Sequence, residues 1–383
     1  MNQQKLLISI DWFLPGTNSG GPARSIANLI DRLSHAQIYI ITRNVDYESS
    51  IPYTEVPPNE WVQYSSNVKV YYAAADQLKP ELFKRLLIEV SPDSVYISGI
   101  YSRLFSIGMR RIALSLGIPT IIAPRGMVSD HALGVKPFKK HVYLWWMRLT
   151  SSFRKLYFHA TSPQEAEDIS KRLGKNCGIS VIPNIPRTFP RPNSPLMKRA
   201  NELKLVCLSR ISPEKGTMEA IESLKSLRGR VFLIIYGSIS DKVYWKACYR
   251  NIQSLPSNIE VLYHGTLGAK SPELLSVIES AHALLLPSRG ENYGHSIVEF
   301  LSQGKPVIIG KDTPWKQLEI NQAGWETDNA SLPKALNQLL AMDQDAYQQW
   351  TKGAFSYYEE RVLKRVESQL QEYQQMFQFY VKN

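Results

Sequence analysis

Cysteine is scarce in this chain. Its 383 residues include only Cys177, Cys207 and Cys248, which lie far apart and lack the spacing of metal ligands. An odd number of scattered cysteines argues against a disulfide framework and indicates a reducing compartment. Long apolar runs are scarce too, because no stretch reaches about 18 uninterrupted apolar residues, the length that a membrane-spanning helix needs. The disulfide-rich secreted class is therefore excluded, and no spanning helix is predicted.

The N-terminus lacks the marks of a targeting segment. Residues 1–11 hold one lysine and a short apolar run, which favours a buried first strand over a signal peptide. We therefore expect a cytoplasmic protein, which could also rest on the inner face of the cell membrane. Hydrophobic residues make up 44% of the chain and charged residues 21%, a globular composition that can supply two cores.

Acidic residues are few in one part of the chain. Of the net charge of +11, residues 1–190 contribute +8 and residues 191–383 contribute +3. From 131 to 164 there are no acidic residues and six basic ones, namely Lys136, Lys139, Lys140, Arg148, Arg154 and Lys155. Such a surface predicts an anionic partner: phospholipid, a pyrophosphate-linked substrate or nucleic acid.

Short apolar runs alternate with amphipathic stretches along the whole chain. The runs have the composition of parallel strands buried on both faces. They are Leu6–Ile10, Ile38–Ile41, Val68–Tyr72, Ser94–Ile97, Thr120–Ala123, Leu205–Leu208, Val231–Tyr236, Ile259–Tyr263, Ala283–Leu286 and Pro306–Ile309. Helical patterns include Ala23–Arg32, Pro80–Glu89, Leu104–Ser115 and Ser296–Leu301. Because the series occurs twice, we expect an α/β protein with two Rossmann-like, doubly wound domains.

A proline-rich stretch separates the two series. Five prolines lie between Pro183 and Pro195, and such segments are stiff and cannot form helix. We expect an N-terminal domain over 1–188, a linker over 189–202, a C-terminal domain over 203–356 and a last helix over 357–383 that crosses back to the N-terminal domain. Because ligands bind beyond the carboxyl ends of parallel strands, the two domains should face each other across a cleft.

Two glutamates follow the predicted strand Ala283–Leu286. Glu291 falls in the loop after it, and Glu299 lies about one turn into the next helix. The backbone N–H groups of residues 293–296 would be free at the helix start and would suit phosphate oxygens. A carboxylate can accept hydrogen bonds from neighbouring hydroxyls, so Glu299 could bind a ribose and Glu291 a sugar. The simpler interpretation is that both are solvated or capping residues.

Two cations follow the predicted strand Leu205–Leu208. Arg210 and Lys215 are five residues apart across a turn that holds Pro213. Two cations on one loop would suit a diphosphate leaving group, with arginine as a bidentate donor and lysine as a point charge. The alternative is an ordinary basic loop before a helix.

A glycine-rich loop, 16–22, follows the first predicted strand. Gly20 and Gly21 precede a helix, so backbone could approach an anion there. A plain turn explains this loop equally well.

Together these motifs resemble a known family. Over nearly its whole length the sequence is similar to the retaining glycosyltransferases with two Rossmann-like domains (the GT-B fold, family 4, group 1 type). The resemblance rests on Gly20-Gly21-Pro22-Ala23-Arg24-Ser25, Ala123-Pro124-Arg125-Gly126-Met127, His159-Ala160-Thr161-Ser162 with Glu165, Val181-Ile182-Pro183-Asn184, Ser209-Arg210 with Lys215-Gly216, Tyr236-Gly237, His264-Gly265, and Glu291 with Glu299. Residues 312–315 are similar to members that build bacterial surface polysaccharides. The combination of the glutamate pair with the Arg/Lys pair is specific, whereas the glycine loops are not.

The resemblance implies an activity and a set of site residues. A hexose-type sugar would pass from a nucleoside-diphosphate sugar to a saccharide or lipid-linked oligosaccharide, with retention, in the synthesis of O-antigen, capsule or exopolysaccharide. The catalytic residues would be Arg210, Lys215, Glu291 and Arg125. The donor would be bound by Gly20, Gly21, Gly237, Gly265, Tyr293, Gly294, His295, Ser296 and Glu299. We expect no cofactor, no metal and no nucleic-acid partner, and we expect domain closure to bring the acceptor to the donor.

Two positions depart from the family pattern. Asn292 stands where many members have glycine, and Arg125 stands where many have a histidine that faces the donor sugar. The donor sugar and the group nearest its anomeric carbon therefore stay open. The alternatives are a nucleotide-sugar epimerase of the same shape, a nucleic-acid-binding protein and a catalytically silent sugar-binding protein. The epimerase would need an acid/base pair around the sugar, and the nucleic-acid interpretation leaves the charged motifs unexplained.

A segment over 138–158 is rich in aromatic and basic residues. Within it Val142, Trp145, Trp146, Leu149 and Phe153 recur at helical spacing, and helices of this kind can lie in a membrane interface. The simpler interpretation is that the apolar face packs inward on the domain core while the basic side is solvated. Both could hold, with the apolar face inward and the cations toward lipid headgroups.

Overall fold

The computed structural model describes residues 3–129, 137–149, 156–174, 177–190, 196–268 and 270–382. The chain folds into two compact units, one formed by Met1–Ile185 together with Glu367–Asn383 and the other by Pro186–Val366. Each unit has its own sheet. Within the described residues, no helix is long and apolar enough to span a bilayer.

The described part of the first unit holds an eight-stranded sheet. Its strands are β1 (Gln4–Ser9), β2 (Ala36–Arg43), β3 (Trp61–Ser65), β4 (Val68–Ala73), β5 (Ser94–Ser98), β6 (Thr120–Ala123), β7 (Tyr157–Ala160) and β8 (Gly178–Val181). They lie in the order β3-β4-β2-β1-β5-β6-β7-β8, and only the β3–β4 pair is antiparallel. The chain builds outward from β1 to one edge and then to the other, which is the doubly wound arrangement.

Helices connect the strands of the first unit. They are α1 (Gly21–Ile30), α2 (Pro80–Val90), α3 (Met109–Ser115), α4 (Pro137–Leu149) and α5 (Pro163–Leu173). The helix predicted over Leu104–Ser115 begins as a wide π-helical turn, Arg103–Gly108, in which Ile107 N–H donates to the Ser102 carbonyl at 2.8 Å. That five-residue spacing, which hydrophobic periodicity does not predict, marks a π-turn before α3.

The second unit holds a six-stranded sheet in its described residues. The strands are β9 (Glu202–Leu208), β10 (Arg230–Tyr236), β11 (Ile259–Tyr263), β12 (Ala283–Leu286), β13 (Val307–Gly310) and β14 (Gly324–Thr327). The helices are α6 (Thr217–Leu224), α7 (Lys242–Gln253), α8 (Glu273–Glu279), α9 (His295–Ser302), α10 (Leu332–Ala341) and α11 (Gln344–Arg361). The order β11-β10-β9-β12-β13-β14 is that of a dinucleotide-binding Rossmann sheet, and it reverses between β9 and β12.

The central strands are buried on both faces. Every residue of β5 and of β12 is buried, so these strands need apolar side chains on both sides. The sequence meets this need with continuous runs such as Ala283–Leu286. The expectation of parallel sheets between helices is confirmed in both units.

All ten predicted strands coincide with or overlap strands of the structure. Among the described residues, four further strands were not predicted, namely β3, β7, β8 and β14. They are short and carry polar or small residues: β7 is Tyr-Phe-His-Ala and β14 is Gly-Trp-Glu-Thr. Their signal is weak because neighbouring elements, rather than their own composition, supply the burial.

The end of the chain packs on the first unit, as expected. The helical pattern predicted from residue 357 onward is interrupted at Val362, where α11 ends, and α12 runs over Val366–Lys382. Tyr373 stands edge-on to His159 with 5.1 Å between ring centroids, and Phe377 stands edge-on to Tyr96 at 5.7 Å. These aromatic contacts fix α12 against the centre of the first sheet.

The three cysteines are free and buried, as the absence of a disulfide pattern predicts. Burial raises the pKa of each thiol, to about 12 for Cys207 and about 11 for Cys248. They behave as small apolar residues of the core.

Candidate functional site

The predicted cations and the first predicted glutamate lie at the point where the second sheet reverses its order. The loop that holds Arg210 and Lys215 follows β9, the loop that holds Glu291 follows β12, and these two strands are neighbours. Ligands of open α/β sheets bind beyond the carboxyl ends of the strands at such a reversal. The topology therefore brings two separately predicted motifs to one place.

Lys215 and Glu291 contact each other directly. The Lys215 ammonium donates to a Glu291 carboxylate oxygen at 2.8 Å, and the two side chains are 17% and 11% exposed. From the sequence we expected Lys215 to meet a diphosphate and Glu291 a sugar. The structure instead joins them in a partly buried ion pair, so a ligand that uses either group must compete with this contact.

Gly216 makes the meeting of the two loops possible. It follows the short turn Pro213–Lys215 with a φ of 72°. A Cβ atom at this position would lie 2.2 Å from the Pro287 carbonyl oxygen, which no side chain can tolerate. The close approach of backbone at Gly216 holds the Lys215 turn against the segment that leads to Glu291.

Gly237 has a related structural role on the other side of β9. Its φ is 153°, and a Cβ atom there would lie 1.7 Å from the Ser209 carbonyl oxygen. Its N–H donates to the Gly265 carbonyl at 2.7 Å. Gly265 has a φ of 77° and open space where a Cβ would stand. Gly237 thus fixes the loop that carries Arg210. Gly265, by contrast, borders open space that a ligand could reach.

Arg210 has a carboxylate partner that the sequence analysis did not identify. It lies 3.5 Å from Glu214, and both side chains are more than a third exposed. Burial favours the protonated form of Glu214, but hydrogen bonding and the Arg210 and Lys215 charges outweigh it and lower the pKa of this carboxyl. An exposed pair of this kind is weak, so Arg210 can exchange Glu214 for a ligand at little cost.

Arg289 and Glu219 form a second missed ion pair at the same loops. The Arg289 guanidinium lies 2.8 Å from a Glu219 carboxylate oxygen. The backbone N–H of Arg289 donates to the backbone carbonyl of Glu214 at 2.9 Å. Their spacing of 70 residues gave no local signal. Arg289 follows the end of β12 closely, so a count of cations beyond strand ends would have found it.

The helix start predicted to receive phosphate is well formed. Gly294 precedes α9 as its N-cap, and the first hydrogen bond to it comes from Ile297 N–H at 3.0 Å. Its neighbour Tyr293 is fixed by Trp315, whose indole N–H donates to the Tyr293 carbonyl at 2.6 Å. His295 and Ser296 are 8% and 7% exposed. A ligand at this end of α9 would therefore meet backbone N–H groups more than side chains.

Glu299 differs from Glu291 in its surroundings. It is 3% exposed and lies on α9 within the core. Burial, together with the nearby Tyr358 and Glu299, raises the pKa of the Tyr293 hydroxyl. Of the two predicted glutamates, Glu291 is the one at the mouth of the loops.

In the first unit, the glycine-rich loop is held by an acidic residue. The Asp46 carboxylate accepts from the Thr17 and Asn18 N–H groups at 2.7 and 3.1 Å. Those two N–H groups of the loop are therefore already bonded to the carboxylate of Asp46, a residue of the same unit. Gly21, where a Cβ would meet nothing within 4 Å, borders open space at the start of α1, next to Gly20.

Arg125, at the end of β6, has an unusual backbone and neutral partners. Its φ is 57°. The guanidinium donates to the Asn184 amide oxygen, and to the Tyr96 hydroxyl at 2.9 Å. Within the described residues no carboxylate forms an ion pair with Arg125. These partners both belong to the first unit, and both are neutral.

A buried hydrogen-bond chain holds Arg125 in place. His159 Nε2 lies 2.8 Å from the Ile182 carbonyl, which can only accept, so Nε2 carries the proton. His159 Nδ1 then accepts from the Tyr96 hydroxyl at 2.7 Å, and Tyr96 accepts from Arg125. Burial, followed by the Arg125 charge, lowers the pKa of His159 to about 3. The imidazole is therefore neutral, with a fixed tautomer.

An Asp-x-Asp sequence, which in some nucleotide-binding sites contacts a metal, occurs once, at Asp343-Gln344-Asp345. In the structure Asp343 is the N-cap of α11 and accepts from Ala346 N–H at 2.9 Å. It has a capping role and lies outside the loops described above. Within the described residues, no group of three or more His, Cys, Asp or Glu side chains could hold a metal ion.

The loops that hold Arg210, Lys215 and Glu291 lie in a segment that is similar to a known protein family. Residues 193–356 match the family model described as Glycosyl transferases group 1, a span that contains both charged loops. A search of curated proteins found no match.

Several solved structures are similar over almost the whole chain. HepE of Anabaena in complex with UDP and glucose has 16% identity and a TM-score of 0.69, with 98% of this chain and 99% of that chain covered. Sucrose-phosphate synthase of Thermosynechococcus elongatus has 17% identity and a TM-score of 0.69, with 98% and 99% covered. WaaG, a glycosyltransferase involved in lipopolysaccharide biosynthesis, has 12% identity and a TM-score of 0.67, with 97% and 99% covered. The chain therefore contains a glycosyl transferases group 1 domain and has the GT-B fold.

Proposed function

We propose that this protein is a retaining glycosyltransferase that transfers a hexose-type sugar from a nucleoside-diphosphate sugar. The acceptor is a saccharide or lipid-linked oligosaccharide of bacterial surface polysaccharide synthesis. The observation that carries the proposal is the meeting of Arg210, Lys215 and Glu291 at the reversal point of the second sheet, inside the matched domain.

The chemistry of the two loops suits a nucleotide-sugar donor. Arg210 and Lys215 offer positive charge to a diphosphate, and the N-terminus of α9 offers backbone N–H groups to the same oxygens. Glu291 offers carboxylate oxygens to sugar hydroxyls. HepE, whose fold is similar, has been solved with UDP-glucose, which supports a donor of this class here.

Transfer breaks the bond between the anomeric carbon and a diphosphate oxygen. A new bond forms between that carbon and the oxygen of an acceptor hydroxyl, whose proton passes to the departing diphosphate. The bonding electrons leave with the nucleoside diphosphate, and negative charge grows on the oxygen that departs. In this proposal Arg210 and Lys215 stabilise that charge, so no metal ion is needed. Electrostatic stabilisation by one such donor is commonly worth about 3 to 4 kcal/mol.

The ion pair between Lys215 and Glu291 must be broken before the donor can bind both groups. The donor must separate the pair, with the diphosphate taking Lys215 and a sugar hydroxyl taking Glu291. Because both charges keep a partner after the exchange, the cost of separation is largely offset. A nucleotide sugar satisfies both groups at once, whereas a nucleoside diphosphate satisfies only Lys215.

The first unit is proposed to contribute Arg125 and to bind the acceptor. Its guanidinium is oriented by neutral groups, which suits a phosphate of a lipid-linked acceptor or an oxygen of the donor. We also propose that the donor contacts Gly20, Gly21, Gly237, Gly265 and Glu299. We propose a cytoplasmic location, consistent with the free cysteines.

A panel of nucleotide sugars tests the proposal. Each would be incubated with the protein and with saccharide and lipid-linked acceptors, and the products would be identified by mass spectrometry and by the anomeric NMR signal. We expect a new glycoside with the donor's anomeric configuration. An epimerised donor would establish the epimerase alternative, an inverted product would refute retention, and binding without any reaction would indicate a silent sugar-binding protein.

A further inference from the structure

The helix α4 carries an apolar stripe that faces solvent. Phe138, Val142, Trp145 and Leu149 are 81%, 47%, 62% and 65% exposed. Their spacing of four, three and four residues places them within about 60° of one another on a helix that turns about 100° per residue. Four large apolar side chains on one exposed face are more than scattered surface residues.

The opposite face of α4 makes the packing contacts. Leu144 and Met147 are 3% and 0% exposed and belong to the core of the first unit. Tyr143 is partly buried and stands edge-on to Tyr101 with 5.8 Å between centroids. The simpler interpretation, in which Val142, Trp145 and Leu149 pack inward, is therefore wrong, since a different set of residues anchors the helix. Phe153 lies outside the described residues.

Basic residues border the stripe on both sides. On an ideal helix Lys139 lies about 90° to one side of it and Arg148 about 90° to the other, and both are exposed. Trp146 stands 5.7 Å from the Arg111 guanidinium of α3. The described residues of α3, α4 and α5 together hold seven basic and three acidic side chains, all three acidic ones on α5.

We propose that the exposed face of α4 docks on the surface of an anionic phospholipid bilayer. Apolar side chains, two of them aromatic, would enter the region of the headgroups, while Lys139 and Arg148 would meet the phosphates beside them. The charge complementarity selects an anionic lipid surface over a neutral one. The side chains already face outward, so docking requires no change of fold.

This surface goes beyond the proposed function and can be tested without any substrate. A membrane surface beside the first unit would suit a lipid-linked acceptor. Binding to lipid and transfer of sugar are nevertheless separate measurements, so either can fail while the other succeeds.

Flotation of the full chain with vesicles tests the proposal. Vesicles of phosphatidylglycerol with phosphatidylcholine would be compared with phosphatidylcholine alone at low salt. We expect the wild-type chain to float with the anionic vesicles only, and added salt to weaken binding. The variant Trp145→Ser/Leu149→Ser should lose binding by about tenfold or more for each large side chain removed. Its fold should be kept because both residues are exposed.

Two matched controls sharpen the experiment. Val243 and Ile320 of the second unit are 81% and 84% exposed, so Val243→Ser/Ile320→Ser removes similar exposed apolar surface elsewhere and should float like wild type. Lys139→Gln/Arg148→Gln should lose the preference for anionic lipid, whereas Lys242→Gln/Lys334→Gln, at exposed sites of the second unit, should keep it.

Three results would overturn the proposal. The wild-type chain could fail to float with anionic vesicles at low salt. The stripe variant could float as well as its control. Sedimentation could show a dimer that the stripe variant alone converts to a monomer, which would assign the stripe to a second copy of this chain.

Discussion

The ion pair between Lys215 and Glu291 makes a prediction that a simple binding site would not make. Lys215 contacts Glu291 at 2.8 Å, with both side chains largely buried. A nucleoside diphosphate must draw Lys215 away from this carboxylate, and it lacks the transferred sugar whose hydroxyl is proposed to bind Glu291. We therefore expect Glu291→Gln to bind the nucleoside diphosphate more tightly than the wild-type chain does.

The size of this effect follows from the geometry. Two unit charges 2.8 Å apart attract by roughly 6 kcal/mol at an effective dielectric constant near 20, before desolvation is counted. Hydrogen bonds to charged groups are worth about 1.5 to 3 kcal/mol net. Removing the competing charge of Glu291 should strengthen binding of the nucleoside diphosphate by about 1.5 kcal/mol. That free energy corresponds to a dissociation constant roughly tenfold lower.

Titration calorimetry measures this, with the nucleoside diphosphate and the intact nucleotide sugar as separate ligands. Glu291→Gln should gain affinity for the first and lose kcat/KM by about tenfold with the second, because a hydrogen-bond acceptor for the sugar is weakened. Glu260→Gln, an exposed carboxylate on β11, is the control and should change neither. Unchanged or weaker binding of the nucleoside diphosphate by Glu291→Gln would refute the reasoning.

Three further predictions concern the loops, the buried histidine and metal. Gly216→Ala should lower the free energy of unfolding by about 2 kcal/mol or more, because its Cβ would overlap the Pro287 carbonyl. The control Gly117→Ala, at a glycine with the same φ of 72° and open space around it, should lower it by about 1 kcal/mol. Equal losses for the two variants in denaturant titrations would contradict the close approach of backbone at Gly216. Burial lowers the pKa of His159 from 6.5 to about 3, so its contribution to stability is fully present above pH 6.5 and is lost as the pH falls toward 3, by about 1.4 kcal/mol per pH unit. His159→Gln should therefore flatten the acid limb of a stability-against-pH curve, and an unchanged limb would show that folding does not lower the pKa of this imidazole. A chelator should leave the rate of sugar transfer unchanged, and a rate restored only by added divalent metal would contradict the assignment of leaving-group charge to protein cations.

Much of the fold could be predicted from local sequence. Buried parallel strands such as Ala283–Leu286 carry continuous apolar runs, and helices such as α2 carry a clear period. The strands β7 and β14 escaped because each is four residues long and includes polar or glycine residues. Their burial comes from the sheet that forms around them, which a single segment does not encode.

The charged loops could be predicted, but their contacts could not. Arg210, Lys215 and Glu291 each follow a strand, so their placement at one edge of a sheet follows from topology. That Lys215 would pair with Glu291, 76 residues away, depends on the order of strands β9 and β12. The outward direction of Trp145 depends likewise on which face of α4 meets the core, because both faces are apolar.

The central claim is that Arg210 and Lys215 stabilise the departing diphosphate. Its most direct test is the rate of sugar transfer at saturating donor for Arg210→Ala, Lys215→Ala and the double variant, with Lys334→Ala as an exposed control. The account predicts that each single change at the site lowers the rate by about a hundredfold or more, while the control keeps its rate. A double variant that transfers sugar at nearly the wild-type rate would contradict it.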